Sequence, residues 1–326
     1  MNKFDYMQKY GYEQLVYLHD RHSGLKGIIC IHNTTLGPAL GGTRVWEYEN
    51  EEDAVYDVLR LARGMTKKAA CAGLNLGGGK AVIIGNSKQL RKDTVRREAF
   101  WRAFGRYIEG LGGRYITAED VGTCPEDMTL VRMETDHVLG LPTTSGDPSP
   151  FTAYGVYKGI KACIKEVLGS AKLEGVRVAV SGVGHVGSAL CELLAKEGAI
   201  LTIADIDEES VKRVSELTGA KVVKPEEIYD VECDVFAPCA LGAVINDNSL
   251  SRLKCKIIAG AANNVLEDSQ KHGTMLHEMG LVYAPDYVIN AGGLINVYQE
   301  RIGYNKDASM AAIDQIYDRV REIIRE

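Results

Sequence analysis

The sequence has no C-x-x-C pair, no apolar run approaching about 18 residues and no stretch dominated by lysine and arginine. Each absence removes a class of protein. The eight cysteines, Cys30, Cys71, Cys124, Cys163, Cys191, Cys233, Cys239 and Cys255, are scattered, and several sit in apolar segments. That spacing fits reduced thiols better than a disulfide framework or a zinc site, so no bound metal is expected. Without a long apolar run no membrane span is expected, and the start Met1-Asn2-Lys3-Phe4-Asp5 carries no signal-type hydrophobic core. A cytoplasmic location is the expectation. A net charge of −6 with no basic stripe argues against nucleic acid and anionic membrane surfaces as partners. Low-complexity runs are few, and no repeat of solenoid period appears.

What is present is 326 residues of ordinary globular composition, 45% hydrophobic and 25% charged, a length that favours two domains. Glycine is abundant at 35 residues and falls in short clusters, which marks sharp turns or close backbone approaches. Apolar runs at 14–18 and 25–31 predict strands. A helix is predicted over 51–72, with Val55, Val58, Leu59, Ala62 and Met65 at amphipathic spacing. A glycine cluster, a strand at 80–84, a helix at 96–111 and a strand at 115–118 follow. The segment Leu139-Gly-Leu-Pro-Thr-Thr-Ser-Gly-Asp-Pro-Ser-Pro150, with three prolines and two glycines, reads as the linker. Beyond it come a helix at 152–168 and strands at 176–180, 200–204, 235–237, 257–260 and 282–284. The expected fold class is α/β: an N-terminal α/β substrate and oligomerisation domain over 1–142 and a C-terminal doubly wound Rossmann domain over 143–326. A last amphipathic helix is expected at 308–324.

The strand at 176–180 runs into Ser181-Gly182-Val183-Gly184-His185-Val186-Gly187 and then a predicted helix at 188–197. This is G-x-G-x-x-G at a strand-to-helix turn. The first glycine permits the turn, the second admits a pyrophosphate against bare backbone, and the third lets helix and strand pack closely. The next strand ends at Asp205, about 20 residues beyond the first glycine, where a carboxylate can accept hydrogen bonds from ribose hydroxyls. A 2′-phosphate would be repelled there and no arginine follows nearby, so NAD is favoured over NADP. The cofactor-binding candidates on this side are Gly182, Gly184, His185, Val186, Gly187, Asp205 and Ile206, with Cys239 and Ala240 after the strand at 235–237.

The first domain holds three candidate groups. Lys68 lies one helical step from Met65 and two from Leu61, on the apolar face, whereas Lys67 shares the polar face of Gly64 and Arg60. A lysine so placed either snorkels or holds an anion. Lys80 follows Gly77-Gly78-Gly79. The run is no phosphate loop, because Leu74 occupies the first glycine position and Ala81 follows the lysine. A lysine there is either a solvated strand-edge residue or, in a closed pocket that disfavours the ammonium, a proton carrier. Thr117-Ala118-Glu119-Asp120-Val121-Gly122-Thr123 puts two carboxylates at a strand end, where α/β enzymes carry chemistry but where acids also cap and solvate.

Taken together, Gly37-Pro-Ala-Leu-Gly-Gly42, Leu61-Ala-Arg-Gly-Met-Thr66, Gly77-Gly-Gly-Lys80, Thr117-Ala-Glu-Asp-Val-Gly-Thr123, Ala261-Ala-Asn-Asn264 and Ala284-Pro-Asp-Tyr-Val-Ile-Asn-Ala-Gly-Gly293 resemble the glutamate/leucine/phenylalanine/valine dehydrogenase family over nearly the whole chain. The resemblance implies reversible NAD-dependent deamination of an L-amino acid to its 2-oxo acid and ammonia. It implies that Lys68 clamps the substrate carboxylate with backbone help from Gly41 and Gly42. Lys80 would activate the attacking water and the carbonyl oxygen, and Asp120 would shuttle the proton at the amino nitrogen. Asn263 would hold cofactor and substrate in register, while Thr152 and Asn290 would contact the nicotinamide side. Hydride leaves Cα only if the amine is neutral and the resulting iminium is tolerated, which such groups provide. The implied pocket, Leu40, Met65, Ala118, Leu139, Leu294 and Val297, carries no charge, which favours leucine, valine or isoleucine. Leu294 is also what phenylalanine-using members often have, so an aromatic substrate is the alternative. A non-catalytic NAD sensor would be expected to lack Lys80 or Asp120, and both are present. Relatives usually continue beyond the last helix; a homo-oligomer is expected, a dimer at least and up to an octamer.

Overall fold

The computed structural model describes residues 2–142, 144–240 and 242–326. The chain forms two compact units, one of Met1–Asp147 with Val297–Tyr304, the other of Pro148–Asn296 with Asn305–Glu326. The division thus falls later than the expected 142/143, and the first unit takes back a segment that no linear division foresees. Thr143, the first residue of the expected second domain, lies outside the described residues.

The first unit is built on a mixed sheet. Its strands are β1 (Gln14–Asp20), β2 (Leu25–Asn33), β3 (Ala39–Leu40), β4 (Thr43–Trp46), β5 (Gly77–Ile84) and β6 (Tyr115–Ile116). The order is β1-β2-β5-β3-β6, and β4 also pairs with β5. Strand β5 is antiparallel to β2 and parallel to both β3 and β4, which occupy successive stretches of its other edge. Side chains alternate along β5, so Ala81 and Ile83 enter a core with Trp101, Phe104 and Tyr115, while Val82 enters another. That second core is the apolar stripe of the Glu51–Cys71 helix, where Val55, Val58, Leu59 and Ala62 are buried as their spacing predicts. Asn50 caps the helix by accepting from Asp53 N–H. The glycines expected to precede β5 are part of it. A Cβ on Gly77 would stand 1.9 Å from Asn33 O, and one on Gly78 would stand 2.1 Å from Thr66 N. Bare backbone is what lets the helix end lie on the strand.

The second unit carries β7 (Arg177–Ser181), β8 (Ile200–Ala204), β9 (Lys221–Val222), β10 (Val235–Pro238), β11 (Ile257–Ile258) and β12 (Val282–Tyr283). All pairings are parallel, in the order β12-β11-β10-β7-β8-β9. The chain leaves β7 in one direction for β8 and later returns to its other side at β10, so a topological switch point lies between β7 and β10. The helix expected from residue 188 starts earlier and spans His185–Lys196, because Gly184 in extended conformation serves as its N-cap. The single helix expected over 308–324 is two, Lys306–Asp314 and Ile316–Arg325, with Gln315 at the break. Ile313, Ile316 and Val320, at i, i+3 and i+7, are buried on one face across the break. No helix of the described residues is long and apolar enough to cross a membrane.

Candidate active site

In the first unit, β3 and β4 are separated by Gly41-Gly42, and this gap lies alongside Gly79-Lys80 of β5. A Cβ on Gly41 would stand 1.8 Å from Gly79 O, and one on Gly42 would stand 2.9 Å from Asp120 Cβ. Gly41 is also fully committed through its backbone: its N–H donates to Ile116 O and its carbonyl accepts from Tyr115 OH at 2.5 Å. The missing side chain is what lets Gly41 lie this close to β5.

Lys80 is buried, 6% exposed, and its Nζ lies 2.8 Å from Asp120 Oδ2. The same carboxylate oxygen stands 3.4 Å from Arg44 Nε. Burial alone would raise the Asp120 carboxyl. The Lys80 and Arg44 cations, with hydrogen bonds from Lys80 and Val121 N–H, outweigh it and hold the group down to about 2. Its backbone is fixed as well, since Asp120 N–H donates to Thr123 Oγ1 at 2.8 Å and that hydroxyl lies 2.8 Å from Asp120 O. Glu119 goes the other way: burial, and then the Asp147, Glu126 and Asp120 carboxylates, push it up to about 7.

Lys68 is half-buried on the last turn of the Glu51–Cys71 helix and Lys67 is exposed, as helical phase predicts. Of the candidate pocket residues in this unit, Leu40, Leu139 and Val297 are buried at 2%, 8% and 7% exposure, while Met65 and Ala118 are half-buried. Leu139 N–H donates to Thr117 O, which ties it to the strand end that carries Ala118 and Asp120.

In the second unit Gly182 has φ +102°, and a Cβ there would meet Ala240 at 2.7 Å. A Cβ on Gly187 would stand 2.0 Å from Gly182 O. A Cβ on Gly184, by contrast, would meet no atom within 4 Å, so its backbone faces open space at the start of the His185–Lys196 helix. Asp205 Oδ2 accepts from Val183 N–H at 2.7 Å, which holds its carboxylate on the glycine loop; Ile206 beside it is 89% exposed. His185 and Ala240 are exposed. Cys239 follows β10, its N–H donates to Ser181 O, and burial pushes its thiol up to about 12. Asn290 is buried; its Nδ2 donates to Asn263 Oδ1 and Ala261 O, both at 2.9 Å, and its own Oδ1 is buried with no partner. Thr152 Oγ1 donates to Pro148 O and would lie 2.6 Å from a Cβ on Gly293; Leu294 is half-buried. An open, donor-rich helix start, a carboxylate on the loop and an orphaned buried acceptor fit a nicotinamide dinucleotide.

Sequence reasoning missed Arg44, although Leu40-Gly41-Gly42-Thr43-Arg44 gave a signal. In a strand, Arg44 opposite Val82 shares a face with Lys80, two residues away.

A parallel sheet with a switch point and a glycine-rich first turn, joined in one chain to a mixed-sheet unit with a buried lysine–aspartate pair, defines a two-domain α/β dehydrogenase. The comparisons agree. Residues 13–137 match the family model "Glu/Leu/Phe/Val dehydrogenase, dimerisation domain", and residues 147–209 and 200–326 match "Glutamate/Leucine/Phenylalanine/Valine dehydrogenase". The chain is 59% identical over 326 residues to the leucine dehydrogenase of Thermoactinomyces intermedius, covering 99% of this chain and 87% of that protein. It is 45% identical to the phenylalanine dehydrogenase of Lysinibacillus sphaericus, covering 97% and 83%. The crystal structure of L-tryptophan dehydrogenase from Nostoc punctiforme superposes with a TM-score of 0.82 at 45% identity, covering 99% and 92%. The chain belongs to the Glu/Leu/Phe/Val dehydrogenase family. It is an amino-acid dehydrogenase of the leucine dehydrogenase type, in a family that uses NAD or NADP.

Proposed function

We propose that the chain catalyses the reversible NAD-dependent oxidative deamination of a small apolar L-amino acid, leucine, valine or isoleucine, to the 2-oxo acid and ammonia. The observation that carries this reading is the buried Lys80–Asp120 pair at 2.8 Å beside the Gly41-Gly42 gap. When bound, NAD accepts the hydride from Cα. The residues that would hold it are Gly182, Gly184, His185, Val186 and Gly187 around the pyrophosphate, Asp205 and Ile206 at the adenosine side, and Cys239, Ala240, Thr152, Asn263 and Asn290 toward the nicotinamide. Asp205 supports NAD over NADP, since its carboxylate disfavours a 2′-phosphate.

In this mechanism Lys68 holds the substrate carboxylate by charge. Asp120 meets the amino nitrogen as an anion, kept ionised by its two cations. Lys80, having first released its ammonium proton to solvent, hydrogen-bonds the attacking water and takes the water's proton as the carbinolamine forms at Cα. While Lys80 is neutral, Asp120 has one cation fewer and a higher proton affinity, so the carboxylate takes a proton from the substrate ammonium before the hydride leaves and returns it to the departing amine once Lys80 is charged again. Water enters, ammonia leaves, and the 2-oxo acid remains. Leu40, Met65, Ala118, Leu139, Leu294 and Val297 offer no charge to a substrate side chain, which supports an aliphatic one. We place a homo-oligomer, a dimer at least, alongside this reading, because residues 13–137 match a dimerisation domain.

The test is NADH formation with NAD and a panel of L-amino acids, with Lys80→Ala alongside. Branched aliphatic substrates leading, and a loss in kcat of about 1,000-fold or more in the variant, is the expected result. Phenylalanine leading would overturn the pocket assignment alone. An active Lys80→Ala would overturn the mechanism.

A further inference from the structure

We propose that Arg44 is a positioning residue of this site, a permanent cation that keeps the Asp120 carboxyl group aimed while Lys80 gains and loses its proton. The inference rests on the reading of Lys80 and Asp120 given above. Two cations share one carboxylate oxygen: Lys80 Nζ at 2.8 Å and Arg44 Nε at 3.4 Å from Asp120 Oδ2. They are chemically unlike. An ammonium can release its proton ahead of the water step, and until it takes one back from the water its pull on Asp120 is absent. A guanidinium does not deprotonate in proteins, so its pull persists through the whole cycle.

Arg44 is built to stay where it is. Its Nη1 lies 3.0 Å from Asp57 Oδ2, on the helix Glu51–Cys71, and Tyr48 OH donates to that same oxygen at 2.6 Å. Arg44 Nε and Asp120 Oδ2 are both buried, and at 3.4 Å they meet as facing charges with no aligned hydrogen bond between them. Asp120 is faced by Lys80 from β5, Arg44 from β4 and Tyr115 from β6, with Glu119 beside it and Asp57 and Tyr48 behind the arginine. With Arg44 removed, Lys80 is the one neighbouring cation left, with the Val121 N–H hydrogen bond, to oppose the burial that raises this carboxyl.

The alternative is that Arg44 merely stitches β4 to the helix. Kinetics of the full enzyme separate the two. Arg44→Ala and Arg44→Lys are compared with the parent for kcat, for the KM of leucine and for turnover with added guanidinium ion at sub-denaturing concentration. The proposal expects kcat to fall about 100-fold in Arg44→Ala with KM changed no more than about threefold, since Arg44 does not touch the substrate. Guanidinium should restore part of kcat in Arg44→Ala and nothing in the parent, and Arg44→Lys should fall between the two. A variant within about threefold of the parent in kcat, or one whose lost activity guanidinium leaves untouched, overturns the proposal. Asp120→Asn serves as the control on the underlying reading. If it retains turnover, both readings fall; if it is inactive and Arg44→Ala is not rescued, only the role of Arg44 does.

Discussion

Glu119 and Asp120 are neighbours in the chain and titrate in opposite directions, with opposite effects on stability. Glu119 is raised to about 7, so its folded form prefers the proton. The stability it contributes is fully present below the ordinary glutamate range and is lost as pH rises through about 7. Glu119→Gln should therefore reduce the fall in melting temperature between mildly acidic and mildly alkaline buffer, by about 2–4 °C; an unchanged difference would mean that Glu119 ionises normally. Asp120 is depressed to about 2, so its contribution is present above the ordinary aspartate range and is lost only as pH falls toward 2. Asp120→Asn should cost stability at neutral pH, about 3 kcal/mol or less in chemical denaturation, because it leaves Lys80 and Arg44 facing each other without their anion. A neutral or stabilising result would show that the two cations relax apart. Lys80 and Asp120 were legible in the sequence as residue types at strand ends. Their 2.8 Å pairing was not, because it joins β5 to a loop about 40 residues away, and nothing local records that distance.

At the level of elements, the longer strands and helices follow from periodicity, while the short strands β3, β4 and β9 give too few residues to read. β5 is read in part: the strand expected at 80–84 is present, but it starts at Gly77, because three residues without side chains give no alternation. The backbone there is crowded from three sides at once, by Asn33, Thr66 and Tyr115. Gly78→Ala would set a methyl 2.1 Å from Thr66 N and 2.2 Å from its Oγ1, with the helix that carries Met65 and Lys68 directly behind. It should destabilise the fold by about 2–3 kcal/mol or more and depress turnover through displacement of Lys68. Gly64→Ala, in the same helix, meets nothing within 4 Å and should stabilise by about 0.5–1 kcal/mol with activity retained. The pair is informative together: if both substitutions were neutral, tight packing of this helix on β5 would not be what requires glycine.

For the whole molecule, the order β12-β11-β10-β7-β8-β9 is beyond local sequence reading, since parallel pairing is decided between segments far apart in the chain. The fingerprint at Gly182–Gly187 and Asp205 nevertheless anticipates where such a sheet offers a crevice. The three glycines there are not equivalent. Gly182 and Gly187 are required by the fold, each with backbone or Ala240 inside the space of a side chain, whereas Gly184 has open space around it. A substitution at Gly184 therefore separates binding from folding. Gly184→Ala should melt with the parent in the absence of cofactor. With NADH at about 100 times the parent's Kd, the parent gains about 2.7 kcal/mol by mass action, and the variant should gain far less. NADPH should stabilise the parent less than NADH does, and Asp205→Ala should narrow that gap by removing the carboxylate held on the loop by Val183 N–H. Equal shifts for Gly184→Ala and the parent would move the pyrophosphate away from this helix start. Equal shifts for NADH and NADPH in the parent would show that Asp205 serves the loop and not the ribose.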